Sequence, residues 1–208
     1  MNQSSTGSHT IGTGGKKKFQ IRWNAPVTLG FVFICFGVYL LSVLTGGASN
    51  YALFSVYRSD VSLFSLFRLV GHVFGHVSLD HLIGNMTYIL LLGPLLEEKY
   101  GSAALAEVIL VTAVGTGIIY PLFFAHSALI GASGVVFAFI LLSSMTSFKD
   151  GTIPVTFLLV AVIYLGNQVY QGIFVQDNVS NVGHIIGGVI GSASGFALNK
   201  GERRNAEG

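Results

Sequence analysis

Long apolar runs, each near the length that crosses a bilayer, alternate along this chain with short polar breaks. Six of them predict helices, at Val27–Leu44, Leu79–Leu96, Ala103–Phe124, Ala128–Ser147, Thr152–Gly172 and Val179–Leu198. A helix needs about 20 predominantly apolar residues to cross the hydrocarbon core. The fold class that follows is all-α, a polytopic membrane bundle of six transmembrane helices. The connection from Thr45 to Ser78 mixes Phe, Leu and Val with Arg58, Asp60 and Arg68, which predicts short helices lying in the outer membrane interface. Residues 1–22 read as a disordered cytoplasmic tail, 23–198 as the membrane domain and 199–208 as a short cytoplasmic tail. No internal repeat of the inverted-repeat transporter kind is present.

Composition strengthens this picture. With 51% hydrophobic and 10% charged residues, the chain has too little charge to clothe a soluble domain. Its 27 glycines suit helices that pack closely in lipid. A net charge of +2 gives no footprint for nucleic acid, so the partner that composition implies is the lipid bilayer. Cys35 is the sole cysteine, which excludes an intrachain disulfide and leaves packing as its role. The first apolar run follows three lysines but is long for a signal peptide, so an uncleaved helix is expected. Placing the N-terminus inside puts Lys16, Lys17, Lys18, Arg22, Lys99, Lys149, Lys200, Arg203 and Arg204 on the cytoplasmic side, against Arg58 and Arg68 outside. The positive-inside rule therefore predicts cytoplasmic N- and C-termini, in the inner membrane if the source is bacterial.

Candidate chemistry lies where polar groups interrupt these runs. With the N-terminus inside, the second, fourth and sixth helices all enter from the outer face. His81 and Asn85 then open the second, Ser133 lies near the start of the fourth, and His184 near the start of the sixth. At 1.5 Å per residue each is expected roughly 5 to 10 Å below its helix start, so the four side chains can share a pocket. Serine is a weak nucleophile that an imidazole in hydrogen-bond reach can activate, and the same imidazole can return the proton to a leaving amine. His81 and Asn85, four residues apart on one helix face, can aim at one developing oxyanion, joined by a backbone N–H. Gly131 and Gly134 keep bulk away from the Ser133 hydroxyl, while Gly183, Gly187, Gly191 and Gly195 give the sixth helix a smooth face. Ser143 and Ser144 read as serines bonded back to their own helix. No carboxylate completes a triad: Asp177 falls in a loop and Asp80 points away from His81, which leaves a Ser-His dyad.

At these residues the sequence resembles the rhomboid family of intramembrane serine proteases. The motifs that carry the resemblance run in order: His76, His81 and Asn85; Gly131-Ala132-Ser133-Gly134 as Gly-x-Ser-Gly; and His184 with Gly187 and Gly191, within Phe64 to Phe196. The resemblance implies Ser133 as nucleophile, His184 as general base and acid, and His81, Asn85 and the Ser133 N–H as oxyanion donors. It implies single-pass transmembrane proteins as substrates, cut near the outer face where a helix unwinds readily, with no cofactor and no metal. It also implies the fifth helix as a gate and the segment Ile173–Asn178 as a cap. Two positions depart from the family pattern: Phe67-Arg68 replaces a Trp-Arg pair, and Phe137, set to stack on His184, replaces a tyrosine. His76 is expected to support the loop and helix entrance, and Glu97 to act in capping or pairing at the end of the second helix.

Two other functions fit parts of the pattern. One is a non-catalytic rhomboid-like protein that binds membrane clients, though such proteins usually lack the serine or the histidine. The other is a metal site or transporter built on His72, His76 and His81, for which only Asp80 supplies a nearby carboxylate. Glu107 is expected to reach the interface or a neighbouring helix, and His126 to lie in an interfacial loop.

Overall fold

The computed structural model describes residues 23–146, 152–174 and 181–207. The expected tail at 1–22 and Asp177, with most of the expected cap segment, lie outside the described residues. The elements are α1 (Pro26–Leu44), α2 (Ala48–Leu53), α3 (Leu63–Gly71), α4 (Leu79–Tyr100), α5 (Ser102–Phe123), α6 (Ser133–Ser144), α7 (Val155–Phe174) and α8 (Asn181–Glu207). Among the described residues the only β pairing is an isolated antiparallel bridge between Val56 and Leu129. The protein is an all-α bundle with an inside-out surface: Phe33, Leu44, Leu91, Leu122, Phe123 and Val162 are all exposed. A surface of that kind needs lipid around it, and this is an integral membrane protein. By length and composition α1, α4, α5 and residues 181–200 of α8 can cross a membrane, while α6 and the apolar part of α7 are shorter.

Local chemistry sets the helix limits. Ser62 and Ser65 form a capping box at the start of α3, and the Ser78 side chain accepts the His81 N–H at the start of α4. α4 stops at Gly101, whose φ of 86° suits glycine alone and turns the chain directly into α5. Between α1 and α4 lie α2 and α3, the short helices expected of the long connection; Leu63, Phe64, Leu66 and Phe67 are exposed along α3, as an interfacial helix requires. The last helix continues to Glu207, past Leu198 where the sixth span was expected to end.

The fourth expected helix needs the largest correction. Instead of Ala128–Ser147, α6 begins at Ser133. Residues 124–132 form a loop tied down by Val56 N to Leu129 O (2.9 Å), Leu129 N to Val56 O (2.8 Å) and Gly131 N to His72 O (2.9 Å). Those backbone groups are spent on the long connection and cannot join a helix, and Gly131 at φ 123° breaks the helical path. Ser133 is thus the first residue of its helix, not one turn inside it.

α6 is the centre of the bundle, with Val135, Val136 and every residue from Ala138 to Leu142 buried. α8 lies parallel to it along a glycine seam. Gly187 sits on the backbone of Gly134, Gly191 on that of Ala138, and Gly195 against Leu142 and Met145, a constant offset of 53 positions. A Cβ at Gly191 would fall 2.6 Å from the Ala138 Cα, so only glycine permits this approach.

Glu97 plays the capping role expected of it. One oxygen accepts Val27 N (2.9 Å) and Ser102 Oγ (2.7 Å), and the other accepts Thr28 N (3.0 Å) and Thr28 Oγ1 (2.8 Å). α1 has no side-chain cap of its own, so the carboxylate of α4 satisfies its first N–H groups. Ser143 and Ser144 bond back to Ile140 O and Leu141 O, as expected. Hydrogen bonds to charged groups contribute about 1.5–3 kcal/mol each. Glu97→Ala, which strands several donors at once, is therefore expected to lower the thermal midpoint of the detergent-solubilised protein by many degrees; an unchanged midpoint would contradict this account of the α1–α4 junction.

Candidate active site

One cavity of about 660 Å³ opens at the end of the bundle where α4, α6 and α8 begin, and Ser133, His184, His81, Asn85 and Phe137 all line it. The four polar residues singled out in the sequence are thus brought together. His81 and Asn85 lie in the first two turns of α4, and His184 is the fourth residue of α8. The Gly134–Gly187 contact registers α6 against α8, which brings Ser133 and His184 to neighbouring walls.

Ser133 has an unusual backbone setting. Ala132, at the N-cap position, supplies no side-chain hydrogen bond, so the first N–H groups of α6 stay available at the positive end of the helix. On the other side of the loop, a Cβ at Gly131 would fall 2.6 Å from His81 Cε1 and 3.7 Å from Asn85 Nδ2. The serine loop therefore lies directly on the two α4 donors. Gly134 faces Thr116 and the Gly183 carbonyl in a space that barely admits a methyl group.

His76 does more than support the loop. Its backbone carbonyl accepts Asn50 Nδ2 (2.9 Å), its Nδ1 lies 3.2 Å from Phe74 O, and its Nε2 lies 3.0 Å from Asn85 Nδ2. A carbonyl only accepts, so Nδ1 carries the proton and Nε2 accepts from the Asn85 amide. The second amide proton of Asn85 is left for the cavity. The His76 ring also meets the edge of His81 with centroids 5.0 Å apart, which makes it a brace behind both donors.

His184 is held on two sides. Phe137 stacks flat on it, with centroids 4.5 Å apart and an interplanar angle of 4°, as its position in the sequence predicts. Gln168 of α7 places Oε1 2.7 Å from His184 Nδ1. Gln168 was missed in the sequence, although Asn167-Gln168 is a polar pair inside an apolar helix and intramembrane polar residues signal function.

The remaining candidates lie off the cavity wall. Arg68 is buried within the connection between α1 and α4, donating to Tyr57 OH and Ser59 Oγ (2.8 Å each) and lying 4.3 Å over the Tyr57 ring. It braces the loop that anchors Leu129. Both ring nitrogens of His72 are engaged, with Arg68 O at 3.2 Å and Thr116 Oγ1 at 3.1 Å, and both of His76 are as well. Among the described residues no three His, Cys, Asp or Glu side chains converge as metal ligands would. Glu107 is exposed on α5 and His126 is exposed in the loop before α6.

Known proteins resemble this chain over most of its length. The family model described as Rhomboid domain matches residues 63–201, more than half of the chain. The chain belongs to the rhomboid family. Among its rhomboid relatives, the Rhomboid protease GlpG of Yersinia pseudotuberculosis serotype I (strain IP32953) is 25% identical over 186 residues, covering 88% of this chain and 66% of the relative. Rhomboid protease GlpG of Serratia proteamaculans (strain 568) is 30% identical over 176 residues, covering 82% of this chain and 62% of the relative. The chain therefore spans slightly under two thirds of the length of these relatives.

The two buried histidines of the connection before α4, His72 and His76, lie outside the long helices, and burial holds both down to about 4 from the ordinary 6.5, with the charge of His81 adding to the effect at His76. Because the unfolded chain takes up protons near 6.5 that the folded one refuses, stability is complete above that pH and falls as pH drops from 6.5 toward 4. Each histidine is expected to cost about 1 kcal/mol per pH unit below 6.5. Thermal midpoints in detergent between pH 7.5 and 5.5, where carboxylates stay ionised, should decline; a flat profile would mean that these imidazoles accept protons in place.

Proposed function

We propose that this chain is an intramembrane serine endopeptidase that cleaves single-pass transmembrane proteins. The observation that carries the reading is the convergence of Ser133, His184, His81 and Asn85 on one cavity at the uncapped start of α6. In the proposed topology α1, α4, α5, α6, α7 and α8 are the six spans, both termini are cytoplasmic, and the cavity lies below the outer face.

In the reaction, Ser133 Oγ attacks the scissile carbonyl while His184 Nε2 takes its proton. The carbonyl oxygen becomes an oxyanion, held by the His81 ring N–H, the free Asn85 amide proton and the Ser133 backbone N–H. The N–H lies at a helix N-terminus, where partial positive charge adds to the stabilisation. Collapse breaks the peptide C–N bond, and the amine leaves with the proton from His184. The Ser133 ester that remains is hydrolysed when His184 takes a proton from water and the hydroxide attacks; Ser133 then regains its proton. Such work requires that the substrate helix unwind, because its own backbone hydrogen bonds otherwise hide the carbonyl. A second cavity of about 460 Å³, lined by Tyr88, Leu91 and Ile140 with Val160 and Tyr164 of α7, supports approach of that helix between α4 and α7.

Purified protein in liposomes, incubated with a single-pass rhomboid substrate, is expected to cut it, and Ser133→Ala and His184→Ala are expected to abolish cutting. Undiminished cleavage by Ser133→Ala would sink the mechanism. His81→Ala and Asn85→Ala are each expected to lower turnover on the order of 10²-fold, as for loss of one oxyanion donor; two silent substitutions would remove α4 from the chemistry.

A further inference from the structure

α7 lies antiparallel to α8, with the Leu165 side chain seated in the space that a Cβ at Gly188 would occupy. That register carries Gln168 to His184, and both side chains are buried where Oε1 meets Nδ1 at 2.7 Å. One turn earlier on the same helix face, Tyr164 meets the edge of Phe137 with centroids 6.0 Å apart. Phe137 in turn lies flat on His184. One face of α7 therefore holds the imidazole by its edge and, through Phe137, by its plane.

We propose that Gln168 is a positioning residue that selects the tautomer of His184. An amide oxygen only accepts, so the bond requires the proton on Nδ1 and leaves the lone pair of the neutral ring on Nε2, the atom that must take the Ser133 proton. With the amide reversed, its NH₂ would donate to Nδ1 and the ring proton would move to Nε2, which could then take nothing. A carboxylate here would favour the imidazolium more strongly, but an ionised group inside a membrane span is costly, and removal of its partner would strand it. A neutral amide gives the same tautomer without that charge. The assignment rests on the proteolytic reading of the cavity.

The test compares wild type, Gln168→Met, Gln168→Glu and Ser133→Ala in liposomes on one substrate. Methionine keeps the length of the side chain and removes the oxygen acceptor. Gln168→Met is expected to lose kcat on the order of 10²-fold, the lower range for general base catalysis, with KM unchanged. Gln168→Glu is expected to be more active than Gln168→Met and to move the acid limb of kcat/KM to higher pH, because a carboxylate favours the charged ring. Asp80, His81, Tyr88 and Tyr120, the other titratable groups on the cavity wall, are the same in every variant. Wild-type kcat in Gln168→Met, or equal losses in both variants with the acid limb unmoved, overturns the assignment. Should Gln168→Met fail to fold, the limb of Gln168→Glu decides: a rise supports the assignment and an unmoved limb overturns it. A wild type no more active than Ser133→Ala overturns the proteolytic reading and the assignment together, whereas an active wild type beside an unaffected Gln168→Met overturns the assignment alone.

Discussion

The close approach of α6 and α8 is the constraint on which the rest of the structure depends. Lipid tails are as apolar as leucine, so no hydrophobic gain drives two membrane helices together; dispersion between well-fitted surfaces must do it. The parallel seam of Gly187 on Gly134 and Gly191 on Ala138 supplies that fit and allows only one register. Ser133 is next to Gly134, and His184 is one turn before Gly187, so the packing contact and the placement of these two side chains are a single fact. A larger residue in the seam would move both at once.

Around the seam, the polar side chains of the cavity are held by neighbours that do not line it. The loop before Ser133 is tied to the connection between α1 and α4 through Leu129 and Gly131, and that connection is held in turn by buried Arg68. Asn85 leans on His76 and His184 on Gln168 and Phe137. For a buried ring or amide, a partner that accepts on one atom dictates which proton is left for another. In the proposed mechanism, hydrogen-bond direction therefore does work that charge does in soluble enzymes.

Much of this was legible in the sequence. The apolar runs mark six helices, and direction alone brings His81, Asn85, Ser133 and His184 to the same end. The glycine repeat announces the seam, Glu97 its capping role, and Ser143 and Ser144 their back-bonds. The start of α6 was hidden because hydropathy sees only apolar residues at 128–132. What removes them from the helix is a backbone pairing with Val56, more than 70 positions earlier in the chain. His76 was underestimated because its importance lies in a tautomer set by Phe74 O. Gln168 is hard to see in the sequence because its partner is on another helix and its side chain carries no charge.

The brevity of α6 has a further consequence. It has 12 residues against the 22 of α4 and α5, which is about 18 Å of helix for a hydrocarbon core about 30 Å thick. The missing turns are replaced by a loop whose backbone groups find partners elsewhere, as any non-helical chain at that depth must. Hydrolysis inside a bilayer faces a problem of supply, since water is a reactant and lipid excludes it. By ending its central helix early, this bundle keeps open a cavity that reaches Ser133, the place where water has to arrive in the proposed proteolysis.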